Sequence, residues 1–88
     1  MSPYKFKIVK DPIDAPNVLL ATVNLDGVRS KRELTLDIGE DRIVLEARKV
    51  GYLLDIFLPY RLDQDGTRAQ FDRLNQELNI VIPIFGTF

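Results

Sequence analysis

Apolar and polar residues alternate through most of this chain. Tyr4, Phe6 and Ile8 are separated by Lys5 and Lys7; Leu34, Leu36 and Ile38 by Thr35 and Asp37; Ile43, Leu45 and Ala47 by Val44 and Glu46. Tyr52, Leu54, Ile56 and Leu58 are separated by Leu53, Asp55 and Phe57. A period of two over short runs sends one set of side chains inward and the other outward, so each run predicts a β-strand. The longer apolar run from Asn17 to Leu25, with β-branched Thr22 and Val23, predicts a central strand. Gly27, Gly39 and Gly51 fall twelve residues apart, close to the turn rhythm of all-β domains, about 8–12 residues. A proline-bounded connection from Asp11-Pro12 to Ala15-Pro16 precedes the central strand. Ser30, with Glu33 three residues on, predicts one helical turn before strand spacing takes over at Leu34.

The stretch RAQFDRLNQELNIVIPI, residues 68–84, satisfies two periods. Phe71, Leu74 and Leu78 carry a helical stripe, whereas Ala69 with Phe71, and Leu78 with Ile80 and Ile82, alternate as strands do. A helix here would be alone in a chain otherwise written in period two. Strands over 68–73 and 77–82 are therefore predicted, with a reversal at Leu74-Asn75-Gln76, where asparagine tolerates turn geometry. Phe71 and Leu78 then share the buried face, and Pro83 is expected to close the last strand. Seven strands in 88 residues, without a long connection, predict an all-β fold: a seven-stranded antiparallel β-sandwich.

Composition narrows the chemistry. Eighty-eight residues make a single domain, 1–88, with little room for a deep substrate cavity. The chain has no cysteine and no histidine. That removes disulfides, thiolate metal sites, the commonest metal ligand and every Ser-His or Cys-His arrangement. No catalytic residue, cofactor or metal is expected. Twelve basic against 13 acidic residues, net −1, give no electrostatic footprint for nucleic acid. No apolar run approaches the roughly 20 residues that span a bilayer, and MSPYKFKIVK has no apolar core of a secretory signal. A cytoplasmic or nuclear setting is expected.

Four polar features have plain readings. Asp63-Gln64-Asp65-Gly66 opens like a calcium loop, but Leu74 stands where the bidentate glutamate belongs, so a polar turn is expected. Asp37, Glu40, Asp41 and Glu46 fall on outward strand positions and a turn, which reads as solvated surface. Arg29, Lys31 and Arg32 form one basic cluster, and Arg42, Arg48 and Lys49 another. Neither is interleaved with stacking aromatics; the plain reading is a solubilising surface, and the functional alternative is contact with an acidic peptide.

One outward set is less ordinary. If Tyr52, Leu54, Ile56 and Leu58 point inward, Leu53 and Phe57 point out, and Val44 joins them from the neighbouring strand. A contiguous apolar patch marks an interaction site unless a loop or the Phe85–Phe88 tail covers it. Partner-binding candidates are therefore Arg42, Val44, Arg48, Leu53 and Phe57. An open sandwich also has edges where an extended peptide can add as a strand. Tyr4–Val9 is a candidate edge, with Lys5 and Lys7 as protection against such pairing.

The order of ELTLDIGEDRIVLEA, YLLDIFLPYRLDQDG and RAQFDRLNQELNIVIPI resembles a CS domain, the sandwich of small heat-shock proteins and of co-chaperones of heat-shock protein 90. More narrowly, GVRSKRELTLDIGEDRIVLEA followed by DIFLPYRLDQDGTRAQFD resembles the C-terminal domain of PIH proteins. The resemblance implies an adaptor rather than an enzyme, and a C-terminal module of a longer protein. It implies binding to an extended tail of a TPR-domain co-chaperone, in a complex with RuvB-like ATPases that works with heat-shock protein 90 on assembly of small nucleolar ribonucleoproteins and kinases. Alternatives within the fold are direct binding to the chaperone's ATPase domain and a holdase role. Ile80-Val81-Ile82 mimics the tail motif of the holdases but reads as a core strand. The module alone is expected to be monomeric.

Overall fold

The computed structural model describes the backbone of residues 4–10 and 16–87 and the side chains of 18–86. The expected inward set Tyr4, Phe6 and Ile8, the lysines between them, the connection over 11–15 and Phe88 have side chains outside this range.

Eight strands form among the described residues: β1 (Tyr4–Lys10), β2 (Pro16–Asn24), β3 (Leu34–Ile38), β4 (Arg42–Ala47), β5 (Tyr52–Phe57), β6 (Tyr60–Leu62), β7 (Arg68–Asp72) and β8 (Glu77–Thr87). All seven expected strands are present. The addition is β6, only three residues long, directly after Pro59. A run that short cannot display a period of two.

Every strand pair is antiparallel. One sheet runs β1-β2-β8-β6, with β7 also on β8; the other runs β3-β4-β5. The sequence alternation becomes the packing between them. Leu19, Ala21 and Val23 of β2, Ile43, Leu45 and Ala47 of β4, and Leu78, Ile80, Ile82 and Ile84 of β8 are all buried in one cluster. Each fully buried leucine or isoleucine contributes about 1.5–3 kcal/mol. Ile80 and Ile82 are thus core residues, as their spacing predicts.

The 68–84 stretch forms no helix. Phe71 lies directly across from Leu78 in the β7–β8 ladder, as expected. Phe71 is only half-buried, however, because β7 flanks the sheet and its side chain packs at the margin of the core. The reversal between them is held by Asp72. Its Oδ1 accepts from the backbone N–H groups of Leu74 (3.0 Å) and Asn75 (3.2 Å), and its Oδ2 accepts from Asn75 Nδ2 (2.8 Å). The left-handed residue is Gln76, at φ 54°, while Asn75 serves through its side chain. The Gln76 carbonyl accepts from Leu25 N at 2.8 Å, tying the turn to the loop after β2.

Pro83 does not end β8, which runs on to Thr87. The strand changes partner there: Pro83 is the last residue opposite β2, and Ile84 begins the pairing with β6. The Pro83 carbonyl accepts from Asp63 N at 2.9 Å, while its missing N–H coincides with the handover. Between β6 and β7 the chain bulges. Asp63 Oδ1 accepts from Gly66 N (3.0 Å), and Thr67 Oγ1 donates to the Asp63 carbonyl (2.8 Å). A Cβ on Gly66 would meet Asp63 Oδ2 at 2.6 Å and Pro83 Cγ at 3.1 Å, so glycine is needed there for space. The calcium-loop lookalike is therefore a self-bonded polar turn.

The single helical turn before β3 also forms, as a 3-10 turn over Lys31–Glu33. Ser30 Oγ accepts from Arg32 N at 3.2 Å, and Glu33 Oε2 reaches back to Arg29 N at 3.4 Å.

Candidate functional site

The outer face of the β3-β4-β5 sheet follows from register alone. Three rows cross it: Phe57 beside Arg42; Asp55 beside Val44 and then Asp37; Leu53 beside Glu46 and then Thr35. Arg42, Val44, Leu53 and Phe57 are thus brought onto one face. Leu53 is 63 % exposed and Phe57 67 %. Val44, between two strands, is half-buried. Arg48 lies beyond the end of β4, in a 3-10 turn over Arg48–Val50, and reaches back to Glu46 at 3.5 Å.

Arg42 organises this face. Its guanidinium lies 5.1 Å from the Phe57 ring centroid, within cation–π range. Its Nε and Nη2 donate to Asp55 Oδ1 (2.7 Å) and Oδ2 (2.6 Å), a two-pronged ion pair. The hydrogen bond from Arg42, then its charge, holds the Asp55 carboxyl below the usual carboxylate range; burial opposes this. The same bond raises Arg42. Asp55 is the residue that sequence reasoning missed. It shares parity with Leu53 and Phe57, and an opposite charge on the next strand was the available signal.

The consequence is chemical. Arg42 is largely satisfied within the molecule, so the face offers two apolar side chains on either side of a neutralised ion pair. Moreover, β5 is an edge strand, and among the described residues no strand pairs with its outer side. The edge and the apolar patch coincide. Phe85, the alternative cover for the patch, is itself 69 % exposed and lines a different cavity with Glu40, Arg61, Leu62 and Gln64.

The carboxylates grouped by sequence are dispersed. Asp37 lies on the outer face, Glu40 pairs with Arg61 at 3.5 Å, and Glu46 pairs with Arg48. Among the described residues, no group of three or more acidic side chains is placed to hold a metal ion.

Comparisons with known proteins agree with the fold. Residues 5–85 match the family model described as PIH1 CS-like domain. The chain is similar to PIH1 domain-containing protein 1 of Xenopus laevis, 44 % identical over 81 residues, covering 91 % of this chain and 27 % of the relative. The Danio rerio protein of that name is 42 % identical over 77 residues, covering 88 % and 27 %. Protein kintoun of Homo sapiens is 30 % identical over 73 residues, covering 83 % of this chain and 9 % of kintoun. The chain therefore spans about a quarter of the length of the first two relatives, 27 % of each. Among solved structures, heat shock protein 16.0 from Schizosaccharomyces pombe superposes with a TM-score of 0.67 at 16 % identity, covering 100 % of this chain and 91 % of that one. At that identity the likeness speaks for the fold alone.

Proposed function

Because the chain belongs to the PIH1 CS-like domain family, we propose that it is a non-enzymatic protein-interaction module of a co-chaperone adaptor. Its partner is an extended tail segment of a TPR-domain co-chaperone, which links it indirectly to heat-shock protein 90 and RuvB-like ATPases. The observation that carries this reading is the coincidence of an open edge at β5 with exposed Leu53 and Phe57 on that same strand. An added strand would gain backbone hydrogen bonds from the edge and place its own side chains beside both apolar residues. Val44 supports the floor of the patch, while Arg42 and Arg48 form its polar rim.

Titration of the isotopically labelled chain with the TPR partner's tail peptide tests this, with the chaperone's N-terminal domain as the comparison. Shifts should concentrate in 52–57. Phe57→Ala should weaken binding by about 2 kcal/mol, roughly 30-fold, as a desolvated anchor does. Arg42→Ala should cost less, because Asp55 already occupies its guanidinium. Shifts confined to loops or to β1, with 52–57 silent, would exclude strand addition at β5.

A further inference from the structure

A second surface lies away from β5 and shares none of its residues. The turn after β7 presents Leu74, which is 95 % exposed. Three adjoining cavities, of about 420, 340 and 440 Å³, meet at Arg73. Phe71 lines two of them, Leu74 lines two, Lys31 lines one and Arg29 another. Two segments distant in sequence thus contribute three cations around an exposed leucine and a half-buried phenylalanine.

Two local devices make this surface firm. The three hydrogen bonds to the Asp72 carboxylate fix the turn that carries Leu74. Gln76 fastens that turn to the 25–28 loop, through its carbonyl to Leu25 N (2.8 Å) and its Oε1 from Gly27 N (3.3 Å), and Arg29 follows directly. Among the described residues, no ion pair engages Arg29, Lys31 or Arg73. The nearby carboxylates are otherwise employed: Asp72 in its turn and Glu33 on Arg29 N. Arg29, Lys31 and Arg73 therefore stand here without a salt-bridge partner among the described residues, three cations against the two carboxylates of Asp72 and Glu33.

We propose that Arg29, Lys31 and Arg73, around Leu74 and Phe71, form a second docking surface for an acidic peptide segment that carries one apolar residue. The cations attract and orient the carboxylates, and the apolar residue covers Leu74 and Phe71. Preorganisation of the turn lowers the ordering cost of binding. A peptide fits better than nucleic acid, because three cations around an aliphatic side chain provide no stacking platform.

The test titrates the labelled 88-residue chain with the synthetic peptide acetyl-Glu-Asp-Leu-Asp-Glu-amide. Shifts should appear at 29–31 and 71–74, leave 52–57 unchanged, and diminish with added salt. Arg73→Glu should raise Kd by about two- to fivefold, the scale of one exposed ion pair. Leu74→Ser, or serine for the leucine in the peptide, should weaken binding as well. Both variants alter exposed turn side chains outside the core and should unfold at the parent temperature. No shift at millimolar peptide overturns the proposal, as does tighter binding of a single-stranded RNA oligomer or equal binding of the serine peptide. Success or failure here is independent of the β5 edge, whose shifts are read in the same spectra.

Discussion

Asp72 is the residue on which the β7–β8 turn depends. Its carboxyl is held below the ordinary carboxylate range, first by the backbone N–H of Asn75, then by the Asn75 side chain and the Leu74 N–H. A carboxyl with a lowered folded pKa stabilises the fold above its unfolded pKa, near 4, and loses that contribution as pH falls through the lowered value. Asp72→Asn should therefore melt below the wild type at pH 7, and the gap should narrow steadily below about pH 4. Melting curves from pH 7 to pH 2 would check this; a gap independent of pH would mean that geometry, not charge, holds the turn. At this scale parity alone was a good guide. It turned Leu53, Phe57 and Val44 outward and Leu54 inward, as found. It could not reveal that Arg42 is taken up by Asp55, since such a pair depends on register between strands, which one strand's pattern does not contain.

Among elements, the bulge between β6 and β7 is closely filled around Gly66. Gly66 is close to both Asp63 and Pro83, and its own N–H is what Asp63 binds. Gly66→Ala should cost about 1–3 kcal/mol, the range for forcing extra volume into a filled site. Urea unfolding would measure it, and a midpoint unchanged from wild type would show that the bulge yields freely. The strands with clean alternation, β3 to β5, were legible because each has one wet face. Over residues 68–79 the pattern supported two periods, and strands were favoured by the turn residues at 74–76 and by the absence of a helical period elsewhere. The bulge explains why β6 and the extension of β8 past Pro83 were not legible. Both depend on a change of partner along one strand, which leaves no mark on its own alternation.

For the whole molecule, β8 is the shared member of the larger sheet. It pairs with β2, β6 and β7, whereas β3, β4 and β5 pair only with their sequence neighbours. This asymmetry sets an order of events in time. The β3-β4-β5 meander closes short loops at low entropic cost, while the pairing of Val18 with Pro83 must wait for almost the entire chain. We expect the meander to nucleate folding and β8 to dock after the barrier. Ile43→Val should then mainly slow refolding and Ile82→Val mainly hasten unfolding, each with a stability loss of about 0.5–1.5 kcal/mol. Stopped-flow traces showing the reverse partition would overturn that order. During synthesis, the edge of β2 that pairs with β8, from Val18 to Asn24, stays unpaired until β8 emerges. For that interval a nascent chain of this fold presents an unpaired strand edge, the kind of surface on which chains associate wrongly.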